Sequence, residues 1–123
     1  MAQKYIEGDV VMYGNIIMII KEPREEGHFD LLWNNWIIYS YINIEDIKPI
    51  PLTSEILEKN GWKLNHGFYW SPNEEGAGVG LSSQTGYVWK AYIGGRLLRS
   101  NINNVSDLQH LLFGLGIKHE MEV

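Results

Sequence analysis

Short runs of β-branched and aromatic residues, separated by turn-forming pairs, dominate the first fifty positions of the chain. Val10-Val11-Met12-Tyr13 and Ile16-Ile17-Met18-Ile19-Ile20 stand on either side of Gly14-Asn15, a pair suited to the positive backbone angles of a two-residue turn. This pattern predicts a hairpin. The charged stretch from Lys21 to Gly27 has no apolar face and carries Pro and Gly, so it predicts a solvated loop. Phe29 to Trp33 and Trp36 to Tyr41 then flank Asn34-Asn35, which predicts a second hairpin with Trp33 opposite Trp36. Ile44 to Ile50 reads as a short extended piece, kept at a sheet edge or outside the ladder by Pro49 and Pro51.

Helical punctuation follows. Thr53 is placed to cap the segment from Ser54 to Asn60, with Leu52 and Leu57 as a hydrophobic staple across the cap. Gly61 suits the left-handed position that ends a helix, and Trp62 can fold back on Leu57. After Phe68-Tyr69-Trp70 comes a polar, Gly-rich loop from Ser71 to Gly80. A third hairpin, Tyr87 to Ile93 and Arg96 to Ser100, turns on Gly94-Gly95. Its register predicts Tyr92 opposite Leu97 and Lys90 opposite Arg99. Tyr87, Trp89, Ala91, Leu98 and Ile102 would face the core, with Lys90, Tyr92, Leu97 and Arg99 on the other side. Asn104 caps a closing helix in which Val105, Leu108, Leu111, Leu112 and Leu115 recur at helical spacing, and Gly116 ends it.

Composition adds bounds. With 123 residues, 45% hydrophobic and 20% charged, the chain is expected to be one domain, β-rich over 1–50 and mixed over 51–123, with a core that needs no staples. The absence of cysteine removes disulfides, thiolate nucleophiles and the common structural zinc sites. The first residues lack the apolar run of a signal peptide, and the longest apolar stretches, about five residues, fall far short of the roughly twenty of a membrane span. A cytoplasmic protein without a membrane partner is expected. A net charge of −5 argues against broad affinity for duplex nucleic acid. Locally the balance reverses, because no acidic residue lies between Glu75 and Asp107, where Lys90, Arg96 and Arg99 all fall.

Two segments carry a resemblance. Ile47 to Trp62, IKPIPLTSEILEKNGW, and Val105 to Ile117, VSDLQHLLFGLGI, together cover about a quarter of the chain. They resemble the recurring Pro-Ile-Pro-Leu-Thr segment and terminal Leu-Gln-x-Leu helix of small uncharacterised proteins of phages and mobile elements of gut Bacteroidetes. This chain departs from the group at Gly114 and Gly116 and through its middle. The resemblance implies a mobile-element accessory protein with a small barrel-like N-terminal sheet, and it brings no catalytic residue. The expected fold class is therefore α+β: antiparallel hairpins forming a small SH3-like barrel or sheet, a short central helix, a further hairpin and a C-terminal helix.

Catalytic chemistry finds little purchase. His28, His66, His110 and His119 are scattered singly, without the spacing of a metal pair. The run Gly76-Ala77-Gly78-Val79-Gly80 has Leu81 where a dinucleotide fingerprint needs its last Gly, and no Gly-Lys-Ser/Thr follows. The paired acids Glu25-Glu26, Glu45-Asp46 and Glu74-Glu75 all fall in predicted loops, where both members are solvated. No Gly-x-Ser-x-Gly elbow frames Ser82-Ser83. No catalytic residue, metal or cofactor is expected, and a small hydrolase stands as a remote alternative.

Aromatic residues carry the remaining signal: five Trp and seven Tyr, most of them expected to fill the core. Exposed members such as Tyr39, Tyr41 and Tyr92, with one of Trp33 and Trp36, could form a surface for a host or self protein, including a homo-oligomer. Alternatively, Lys90, Tyr92, Arg96 and Arg99 could form a stacking and phosphate-binding platform for single-stranded nucleic acid. Opposed cations at Lys90 and Arg99 would call for a carboxylate from elsewhere in the chain or an anionic partner. Non-enzymatic binding of a host or self protein is the leading expectation, with the nucleic-acid platform second.

Overall fold

A computed structural model describes residues 5–34, 36–72 and 78–123. Among these residues the chain is mixed α+β, with two antiparallel sheets of five strands and two α-helices. The first sheet comprises β1 (Val10–Tyr13), β2 (Ile16–Pro23), β3 (His28–Trp33), β4 (Ile37–Asn43) and β5 (Ile47–Pro49), in the order β4-β3-β2-β1-β5. Gly14, at φ 60°, makes the first turn, so that Tyr13 meets Ile16 as the sequence predicts. A single 3-10 turn, Ile44–Asp46, is capped by the Asn43 side chain and returns the chain so that Ile47 pairs with Tyr13. β4 and β5 are the two edges and do not pair, so this half is an open sheet rather than a closed barrel.

Alternation gives this sheet two apolar faces. Val11, Met18, Ile20 and Leu31 line one and form a core with Tyr5, Phe29 and Ile47, in which Tyr5 meets Phe29 edge-on at 5.8 Å. Val10 lies on the other face and belongs to the core of the second half.

Two expectations for this sheet are corrected. The polar run expected to be loop from Lys21 is strand as far as Pro23. Trp33 lies opposite Ile37, not Trp36, because the connection is one residue longer than the Asn34-Asn35 pair suggests; Asn34 takes φ 52° and Asn35 lies outside the described residues.

The extra length of β2 and β4 is absorbed in bulges opposite Asp30. Arg24 donates to Asp30 Oδ2 from Nε at 2.9 Å and from Nη2 at 2.6 Å, and the Tyr41 amide donates to Oδ1 at 2.9 Å. Asp30 is thus a buried carboxylate with both oxygens occupied, tying the two irregular strands to one side chain. The Arg24 hydrogen bonds, then that of the Tyr41 amide, hold its carboxyl below the usual carboxylate range.

The second half opens with α1 (Ser54–Lys59). Thr53 Oγ1 accepts from the Ile56 amide, Gly61 takes φ 86°, and the Trp62 amide closes back on the Leu57 carbonyl. The second sheet is a meander of β6 (Lys63–Asn65), β7 (Phe68–Trp70), β8 (Gly80–Ser82), β9 (Trp89–Ile93) and β10 (Arg96–Ile102). His66-Gly67, both at positive φ, turn β6 into β7, and Gly94-Gly95 do the same between β9 and β10. α2 (Val105–Gly114) is capped by Asn104 and ends at Gly116, as its sequence predicts. Leu52, Leu57, Trp62, Leu81, Trp89, Ile102, Leu108 and Leu112 are among the residues of the second core, and the buried Trp89 indole donates to the Leu52 carbonyl at 2.9 Å.

The third hairpin needs a correction of register. Tyr92 meets Leu97 as predicted, but two shifts follow on β10, one before Arg99 and one before Ile102, where Asn101 takes φ 61°. Arg99 therefore lies opposite Ala91, not Lys90. Tyr87 precedes the strand and is 74% exposed, and Leu98 falls in the first shift and is 43% exposed. Neither joins Trp89, Ala91 and Ile102 in the core.

Buried polar side chains join the halves. Gln109 of α2 is fully buried; its Oε1 accepts from the Val10 amide at 2.9 Å, and its Nε2 donates to the carbonyls of Gly8 at 2.9 Å and His119 at 3.0 Å. Beside it, His110 Nε2 lies 2.6 Å from Oδ2 of the buried Asp9, an oxygen that also accepts from the Ile6 amide. Within the Leu108-Gln109-His110-Leu111 segment, the leucines face apolar side chains and the two polar residues hold the N-terminal sheet.

Candidate functional site: the outer face of the second sheet

Strand alternation divides the second sheet sharply. Tyr69, Leu81 and Ala91 lie in register across β7, β8 and β9 and point into the core. Lys63, Trp70, Gly80, Tyr92 and Leu97 form the adjoining row, on the opposite face, across all five strands. Phe68 and Lys90 share that outer face by the same alternation.

Gly80 organises the aromatic part of the row. A β-carbon there would sit 3.0 Å from Trp70 Cζ3 and within 3.3 Å of two further ring atoms, so the indole lies directly on the glycine backbone. Phe68 contacts Trp70 at a ring separation of 5.7 Å and reaches Tyr92 edge-on at 5.4 Å, across β8. The Trp70 indole nitrogen donates to the Asn65 carbonyl at 3.1 Å, fixing the ring while leaving the residue 38% exposed. Three rings thus form one cluster, in which backbone contacts hold Trp70 and the half-buried rings of Phe68 and Tyr92 pack beside it.

Charge on this sheet has one sign. Lys63, Lys90, Arg96 and Arg99 lie in its strands, which contain no Asp or Glu, although the whole chain has a net charge of −5. Arg99 is on the inner side of β10, where its Nη2 lies 3.6 Å from Asp107 Oδ1 in the first turn of α2. A carboxylate from within the chain therefore faces that cation. Arg96 lies opposite Ile93 at the hairpin tip. Lys63 and Lys90 are exposed and form no salt bridge among the described residues.

Of the residues singled out in the sequence, the structure brings Lys90 and Tyr92 together on this face and turns Arg99 away. Tyr39 and Tyr41 are elsewhere, on β4 of the first sheet. Tyr39 is half-buried against Tyr13, at 6.2 Å between rings, and Tyr41 stacks on His28 at 4.2 Å. Phe68, Trp70 and Lys63 were not legible as part of a site, because β6 and β7 are only three residues long and alternation is hard to read over so short a span. The turn pair His66-Gly67 between Asn65 and Phe68 was the available signal.

A cleft of about 630 Å³ runs between the ends of α1 and α2 and the C-terminal segment, with Trp62, Leu112 and Met121 among its apolar walls and Lys59, Lys118, Glu120 and Glu122 among its charged ones. Its Asn60 amide is already engaged, donating to the carbonyls of Ile56 and Glu122 and accepting from the Glu122 amide. Among the described residues no three His, Asp or Glu side chains gather as a metal site, and no helix is long and apolar enough to cross a membrane.

No family model, curated protein or solved structure matches the chain.

Proposed function

We propose that the protein is a non-enzymatic accessory protein, of the mobile-element kind its two motifs resemble, that binds single-stranded nucleic acid on the outer face of its second sheet. One observation supports this reading: Trp70 lies exposed over Gly80 and packs with the half-buried rings of Phe68 and Tyr92, flanked by Lys63 and Lys90, on a sheet whose strands hold no carboxylate. Bases stack on exposed rings with little regard to sequence, each contributing about 1–3 kcal/mol, while lysines at the rim meet the phosphates. The negative net charge limits nonspecific attraction, so affinity depends on the rings together with the two lysines beside them.

Fluorescence anisotropy with labelled oligonucleotides of about ten nucleotides tests the reading. Binding is expected at low salt, with quenching of tryptophan emission. Two engaged lysines give a log–log salt slope of about −1.4. Trp70→Ala should weaken binding roughly tenfold or more, and Lys63→Glu/Lys90→Glu should abolish it. Absence of binding at low salt rejects the proposal.

A further inference from the structure

We infer that β4 is a self-association edge, through which two copies of this chain pair antiparallel across a twofold axis. The two sheets present four edges, and three carry features that deter pairing. β5 carries Lys48 and Pro49, β6 carries Lys63, and β10 carries Arg96 and Arg99. β4 is different. It has seven residues, Ile-Ile-Tyr-Ser-Tyr-Ile-Asn, without a charge, and its pairing with β3 is regular from Ile37 to Tyr39, before the bulge at Tyr41.

The occupant follows from charge and symmetry. An antiparallel dyad at Ile38 sets Ile38 against its own copy and Ile37 against Tyr39, within the regular part of the strand, so no charge meets a like charge. At each of the other three edges, self-pairing would bring cations close together. Ile38 is 46% exposed, and Leu32 and then Ile19 continue an apolar row inward from it, while Trp36, at 78%, borders the edge. A strand of uncharged side chains gives nothing for an acidic or basic peptide to pair with, whereas a second copy of the strand matches it position for position.

Sedimentation velocity of the full chain, without nucleic acid, tests this directly, so the result is independent of the oligonucleotide reading. A reversible monomer–dimer equilibrium is expected. Raising the salt should strengthen it by screening the repulsion between two chains of net charge −5, the opposite of the salt effect expected for oligonucleotide binding. Ile38→Lys should shift the chain to monomer while Leu97→Lys, on the other sheet, leaves the dimer intact. If Ile38→Lys does not fold, hydrogen exchange of the wild-type chain decides instead, because protection of β4 amides should rise with protein concentration. A monomer at every concentration, a dimer unaffected by Ile38→Lys, or β4 protection independent of concentration would each overturn the inference.

Discussion

The Gln109 side chain accepts a hydrogen bond from the Val10 amide at 2.9 Å, joining α2 to the first strand across 99 residues of sequence. With its donors on Gly8 and His119, the amide satisfies three backbone groups in a fully buried setting. Gln109→Met keeps the volume and leaves those groups unpaired. Each unsatisfied buried group costs about 1–3 kcal/mol, so urea denaturation should register a loss of several kcal/mol, among the largest for any single side chain here. A loss below about 1 kcal/mol would mean that the halves do not depend on this contact.

Gly80→Ala should separate stability from binding. The added β-carbon would come within 3.3 Å of three Trp70 ring atoms, so the indole must shift off its Asn65 hydrogen bond, and the unfolding free energy should fall by about 1–3 kcal/mol while the fold survives. Displacing the indole breaks the contact between rings. Oligonucleotide affinity should therefore fall roughly as much as in Trp70→Ala, with a change in near-ultraviolet circular dichroism.

Asp30 predicts the acid limb of the stability curve. Its folded pKa lies below the ordinary 3.8, so its contribution is complete above that value and is lost as pH falls through the lower folded value. Melting temperatures from pH 7 down to about pH 2 should drop most steeply below about pH 4 in the wild type. Asp30→Asn should melt lower at neutral pH and show a flatter acid limb.

At the alkaline end, Tyr69 acts with the opposite sign. Its hydroxyl donates to Glu58 Oε2 at 2.7 Å; that hydrogen bond first, and then burial, raise its pKa above 10.0. The stabilisation is present below that value and lost as pH rises through the folded value. Tyr69→Phe should cost about 0.5–1.5 kcal/mol at neutral pH and lessen the loss above pH 10, measured by denaturant titration.

Local chemistry made the turns and caps readable in advance. Thr53, Gly61, Asn104 and Gly116 each act within a few residues of their own position, and so do Gly14 and the Gly94-Gly95 pair. The bulges were not readable. Asp30 sets the register of three strands through Arg24 and Tyr41, and in sequence it is only an acid in an apolar run. Likewise the shifts on β10 set Arg99 opposite Ala91 instead of Lys90 and within 3.6 Å of Asp107, a partner eight residues on that strand alternation does not reveal. The candidate site was half visible for the same reason: Lys90 and Tyr92 lie on a long hairpin, whereas Phe68 and Trp70 join them only because β8 passes between with Gly80 at the crossing.

The span of the Gln109 contact also imposes an order of events on synthesis. Val10 and Gly8 leave the ribosome about a hundred residues before the side chain that pairs with them, an interval of roughly 5–20 s at ordinary elongation rates. During that interval the first sheet can form its hairpins and its own core, but the face bearing Val10 has no cover. The nascent chain therefore waits, half assembled, for α2, and any change that delays or weakens that helix is felt first at strand one.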